Sequence, residues 1–315
     1  MLTQTQLDRL TDEVVAQLLR RQDTPKAEVS IPAPALSPPP PSSSPLPEEQ
    51  EPVDITSPKV RKTPLVEVPD ERRRKALEQM MRTTPARIGV GRAGPRLKTQ
   101  TLLALRADHA AAMDSVFAEI DPALLERMNL PAVQTRCRDR NEHLTRPDLG
   151  RQLDDKALKQ LRSFCKPGAD VQLMVSDGLS CRAVEANLER ILPVLEEGLT
   201  AAGITLGKTF FIRYGRVPVE DVVAEALGAK LVCILIGERP GLATAESMSA
   251  YLCCDAHVGQ PEARRTVVSN IHKDGIAAVE AGAYLVDLIG RILAAGVSGV
   301  DFQTKQRPAQ KEASL

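Results

Sequence analysis

The sequence predicts an α/β protein: a largely parallel, Rossmann-like sheet flanked by helices, preceded by a helical segment and a disordered N-terminal linker. Three observations predict it. From residue 170 onward, short apolar runs alternate with stretches of helical periodicity. One of those runs, 231–236 (LVCILI), is apolar throughout, as a strand buried on both faces must be. Ahead of them, residues 22–70 hold more than half of the 24 prolines and few large apolar side chains, too few to offset the entropy of ordering.

In chain order, Leu7, Leu10, Val14 and Leu18 recur at helical spacing, with Asp8, Asp12 and Glu13 early and Arg20 and Arg21 late, as the helix dipole prefers. Residues 1–21 thus read as one amphipathic helix on the tether 22–70, an addressing peptide. Residues 71–82 and 99–120 read as helices within a mainly helical segment, 71–168, in which 121–150 fits neither periodicity. The α/β part spans 169–303 and a flexible tail 304–315. Its strands are expected at 171–175, 210–214, 231–236 and 247–253. Its helices are expected at 181–202, with a kink or break at Pro193, at 218–227, opened by Pro218 and ended by Gly228, and at 277–295.

Composition narrows the function. Acidic and basic residues balance at 41 each, against the basic excess of nucleic-acid binders. No run approaches the ~18 apolar residues of a membrane span, and the N-terminus lacks a secretion pattern, so a cytoplasmic location is expected. The six cysteines show no C-x-x-C spacing and read as reduced, mostly buried small hydrophobes. No metal site and no catalytic residue is assigned.

Parallel sheets bind ligands at the carboxyl ends of their strands. Three expected strand ends carry polar, glycine-bearing turns: Ser176-Asp177-Gly178, Arg213-Tyr214-Gly215-Arg216 and Gly237-Glu238-Arg239-Pro240-Gly241. Asp177 and Glu238 either face each other as a carboxylate pair, cap helices, or pair with Arg216 and Arg239. The string Gly89-Val90-Gly91-Arg92-Ala93-Gly94 matches G-x-G-x-x-G but lacks the strand before it and the helix within it that would cradle a pyrophosphate. It reads as a connector or subunit contact. Asp255-Ala256-His257-Val258-Gly259 falls short of the D-x-H-x-x-G string that offers a histidine to cobalt, and His257 reads as a loop residue. His109 shares a helix face with Leu102, Leu105, Met113 and Val116, so it is expected to be packed.

Seven ordered segments carry a resemblance. They are 91–96 (GRAGPR), 107–109 (ADH), 144–148 (LTRPD), 176–180 (SDGLS), 213–217 (RYGRV), 237–242 (GERPGL) and 269–272 (SNIH). By them the chain resembles the small (light) subunit of ethanolamine ammonia-lyase over roughly residues 85–300. The resemblance implies adenosylcobalamin shared with a large barrel subunit that carries the radical conversion of ethanolamine to acetaldehyde and ammonia. It implies a hetero-oligomer of both subunit types, and a small subunit inactive alone. Cobalamin contacts are implied at Val217, Glu238 and Val267; some relatives carry Cys at the last position, so Val267 offers backbone but no sulfur. It also implies that the N-terminal helix addresses the enzyme to a bacterial microcompartment and its shell proteins.

Overall fold

The computed structural model describes residues 70–84 and 86–312, with side chains to 306. The helix expected at 1–21 and the linker (bar residue 70) lie outside the described residues. Asp70 caps α1 (Glu71–Thr83) by accepting from Arg72 N. The glycine string leads into a hairpin of β1 (Arg92–Ala93) and β2 (Arg96–Leu97), with Gly94 at φ 59° in its turn. No parallel strand feeds it and no helix opens within it. Next come α2 (Thr99–Phe117), α3 (Pro122–Arg127), β3 (Ala132–Gln134), α4 (Arg140–Thr145) and α5 (Asp155–Phe164).

Residues 121–150 resisted periodicity because their elements are six, three and six residues long. Each short helix is instead opened by an aspartate: Asp121 accepts from Ala123 N and Asp139 from Glu142 N.

The remaining elements are β4 (Val171–Ser176), α6 (Cys181–Ala201), β5 (Phe210–Arg213), α7 (Val219–Leu227), β6 (Leu231–Gly237), β7 (Met248–Cys254), β8 (Thr266–Ile271), α8 (Ala278–Ala295) and α9 (Gly299–Glu312). The sheet order is β3-β5-β4-β6-β7-β8. β3, β5, β4 and β6 are mutually parallel, and β7 is antiparallel to both β6 and β8. The expected α/β class with a largely parallel sheet is what is found. β8 and β3 had not been foreseen as strands; β8 is half exposed, and β3 is too short to show a period. Helix α9 continues through residue 304, where the sequence places a tail.

Two cores sandwich the sheet. α6 and α8 pack with Leu173, Val175, Phe211, Cys233 and Leu235 on one face. α5 and α7 pack with Met174, Phe210, Ile212, Val232 and Ile234 on the other. All seven residues of β6 are buried, as its apolar run requires. Helix α6 runs unbroken through Pro193, so the break that a mid-helix proline can impose does not occur. A mid-helix proline costs about 3 kcal/mol, but Leu192, Leu195 and Leu199 beside it are fully buried and contribute about 1.5–3 kcal/mol each. Five of the six free cysteines are buried. Among the described residues no single helix is long and apolar enough to cross a membrane.

Candidate functional site

The chain turns to opposite faces after β4 and β5, into α6 and α7, which puts a crevice between those two strand ends, the usual ligand position in such sheets. Here the protein fills it. Arg140 of α4 is buried and donates to Asp177 Oδ2 at 2.8 Å and to the carbonyls of Gly178 and Ala118. Its guanidinium lies 5.1 Å from the centre of the Tyr214 ring. Asp177 Oδ1 accepts from Tyr214 N at 2.8 Å, and Ser176 Oγ donates to Ile212 O while accepting from Gly215 N. A side chain on Gly215 would put its Cβ 2.4 Å from Ser176 Oγ, so the two strand ends close only over glycine. Burial pushes the Asp177 carboxyl up to about 6, against the pull of Arg140.

His143 completes this plug. It is fully buried, and among the described residues neither ring nitrogen makes a well-formed hydrogen bond, although the Gly178 and Tyr214 carbonyls lie near the ring. Burial, with Arg216 and Arg140 adding repulsion, holds its pKa down at about 4. Asp177 and Glu238 therefore form no carboxylate pair: Asp177 belongs to Arg140. Arg216 donates instead to the His143 carbonyl at 2.7 Å.

The open part of the strand-end edge lies one step along, at β6, β7 and β8. Glu238, half-buried, accepts from Ser247 Oγ at 2.7 Å on Oε2, and from Ser249 Oγ and Asn270 N on Oε1. Its carboxylate, at the end of β6, is thus fixed by groups from the two strands that follow, β7 and β8. Ser249 and Tyr251 alternate onto one face of β7, and Tyr251 packs on the same core as Ile234 and Val217. Val267 sits directly opposite Tyr251 in β8, an edge strand, and is 45% exposed.

Val217 is half-buried in the turn between β5 and α7. Its carbonyl accepts from Glu220 N, while its own N–H has no acceptor among the described residues. Val217 and Glu238 thus follow strand carboxyl ends, with β4 between β5 and β6, whereas Val267 pairs through Tyr251 with the level of Ile234, three residues back from that end.

What holds these pieces in register was not foreseen. Arg265, at the foot of β8 and 2% exposed in its side chain, donates to Glu220 Oε1 at 2.7 Å and Asp221 Oδ2 at 2.6 Å, both on the first turn of α7. A third bond runs to Glu262, and Gln260 donates to Asp221 Oδ1. Burial pushes both carboxyls up, against the pull of Arg265. The network ties the helix that follows Val217 to the strand that carries Val267. In sequence its only signal was an arginine entering an apolar strand.

The histidines are placed otherwise. His109 is exposed, contrary to the packed position expected, because α2 buries a different side. His257 is an exposed loop residue, as read.

Fold and site together define a three-layer α/β protein whose switch-point crevice is plugged and whose open polar groups gather at one end of one sheet. The family model of the ethanolamine ammonia-lyase light chain matches residues 74–303, and the chain belongs to that family. It is 48% identical over 308 residues to the ethanolamine ammonia-lyase small subunit of Clostridium tetani, covering 96% of this chain and 100% of that one. It is 50% identical over 250 residues to the small subunit of Clostridium perfringens, covering 79% and 84%. The small subunit of Listeria monocytogenes is 48% identical over the same length.

Proposed function

We propose that this chain is the small subunit of an adenosylcobalamin-dependent ethanolamine ammonia-lyase and forms one wall of a cobalamin site whose chemistry is carried by the large subunit. The observation that carries the reading is the fixed carboxylate of Glu238 on the open end of the sheet. A corrin ring presents amide donors and acceptors around its rim, and its nucleotide tail presents ribose hydroxyls. The residues present fit such a group. Glu238 keeps acceptor capacity on Oε2 beyond the Ser247 bond, and the free Val217 N–H suits an amide carbonyl. Edge strand β8 leaves alternate backbone groups unpaired around Val267.

When bound, adenosylcobalamin supplies the radical that abstracts hydrogen from ethanolamine, and the small subunit's part is to bind, orient and exclude water. Alone it is inactive. Residues 1–21 serve to address the assembled enzyme to a microcompartment within the cytoplasm.

The test is co-purification with the large subunit followed by visible spectroscopy of bound cobalamin. Glu238→Gln preserves shape and most of the serine contacts but halves the acceptor strength. It should weaken cobalamin retention about tenfold, the loss of one charge-assisted bond, with the two subunits still associated. Wild-type retention in both Glu238→Gln and Glu238→Ala refutes the assignment.

A further inference from the structure

Helix α2 is turned the wrong way out for a helix of an isolated protein. Its buried residues are Thr101, Asp108 and Ser115, one polar stripe at seven-residue spacing. Asp108 pairs with Arg87, which also donates to the carbonyl of Leu242 at 3.1 Å. Ser115 Oγ lies 3.0 Å from Ser180 Oγ, and Ser180 donates to the carbonyl of Ala245 at 2.6 Å. The helix is therefore seated by polar bonds on the start of α6 and on the loop that continues from Glu238.

At 100° per residue, the side opposite Asp108 carries Leu103, Arg106, Ala110, Met113 and Phe117. All five are exposed, and Leu103, Met113 and Phe117 are 45%, 44% and 48% accessible, with Leu102 beside them at 37%. Their spacing of three and four is the seam by which a helix packs into a partner's groove, and Ala110 at its centre permits close approach.

We propose that this seam is a docking surface for the large subunit. The occupant follows from where the helix sits, and the argument rests on the cofactor reading given above. Loop 242–245, on which α2 lies, leaves the strand end that bears Glu238. A large subunit that meets cobalamin there comes down beside α2. Polar anchors beneath and an apolar seam above are what a subunit needs to keep its shape before its partner arrives: the inward bonds hold the helix without using its apolar side.

The test is to produce the full chain with an affinity-tagged large subunit and measure association. Leu103→Glu/Met113→Glu/Phe117→Glu should weaken it about 100-fold or more, the effect of a lost apolar hot spot. The same number of substitutions is not needed for the control, Val279→Glu/Tyr284→Glu on α8, equally exposed, which should associate normally. The thermal midpoint of the separate chain should fall only slightly with the α2 set, since the three side chains are about half exposed and lie outside the two cores. If the triple variant does not fold, the uncharged pair Leu103→Gln/Phe117→Gln should still weaken association about tenfold. Association at wild-type strength overturns the inference, as does a variant that loses only self-association of the separate chain. Glu238→Gln separates the two readings. Loss of cobalamin from that variant, with normal assembly of the α2 variants, would remove the docking seam and leave the cofactor wall standing.

Discussion

The buried imidazole of His143 gives the sharpest quantitative expectation. It is fully buried between Arg140 and Arg216, and its pKa is held from 6.5 down to about 4, chiefly by burial. The unfolded chain takes up a proton near 6.5, while the folded protein refuses it until about 4. A depressed base therefore costs stability as pH falls through that window, and costs almost nothing above it. Between pH 7 and pH 5 the loss is about 2 kcal/mol, approaching about 3 kcal/mol at more acid pH.

Asp177 in the same plug is raised to about 6 and works in the opposite sense, gaining stability as pH falls from there. The wild-type pH profile is thus a near cancellation, and only a difference experiment isolates the histidine. His143→Leu removes the titration and two buried, poorly paired nitrogens at similar volume. At pH 7 it should be neutral or stabilising by about 1 kcal/mol, the cost of a buried unpaired polar group. At pH 5 its advantage over wild type should grow by about 2 kcal/mol. Urea unfolding of both proteins at the two pH values, at fixed ionic strength, measures this. An advantage that stays constant refutes the argument, because it would mean that the imidazole is protonated or solvated in the folded state.

Two further outcomes follow from the same geometry. Arg265→Met leaves Glu220 and Asp221 buried without their counter-charge and should cost about 3–5 kcal/mol. Because both carboxyls are already raised in the folded protein, their contribution falls as pH rises, so the deficit in thermal midpoint should be larger at pH 8 than at pH 6. Gly178→Ala combines a φ of 51° with a Cβ placed 2.4 Å from the Gly237 carbonyl. It should lose more than about 2 kcal/mol in urea unfolding, beyond the ~1 kcal/mol of the backbone conformation alone, because the neighbouring strand end must move.

The sequence made legible what short-range regularity encodes. The apolar run of β6, the glycine ending α7 and the proline before it all stand where periodicity and cap chemistry place them. So do the three strand-end turns, which the parallel order β5-β4-β6 brings to one edge. Their division of labour was not legible. Whether a polar turn is open or plugged depends on Arg140 and His143, which arrive from a helix about 30 residues upstream of β4 and carry no mark of it. The fixing of Glu238 was hidden for a similar reason: two of its partners lie beyond β6 on an ordinary-looking strand and the third on a strand too exposed to recognise.

Helix α2 shows the deeper limit. Periodicity locates the apolar side of a helix, and burial normally follows it, so the sequence puts His109 in a core with Leu102 and Met113. That assumption treats the chain as the whole folding unit. In α2 the assumption inverts: Asp108 and Ser115 face inward because Arg87 and Ser180 wait for them, and the apolar side is left outward. An apolar stripe in sequence states that something will cover it. Only the positions of the polar partners decide whether the cover is the protein's own core, and here they leave the seam outward, beside the loop that follows Glu238.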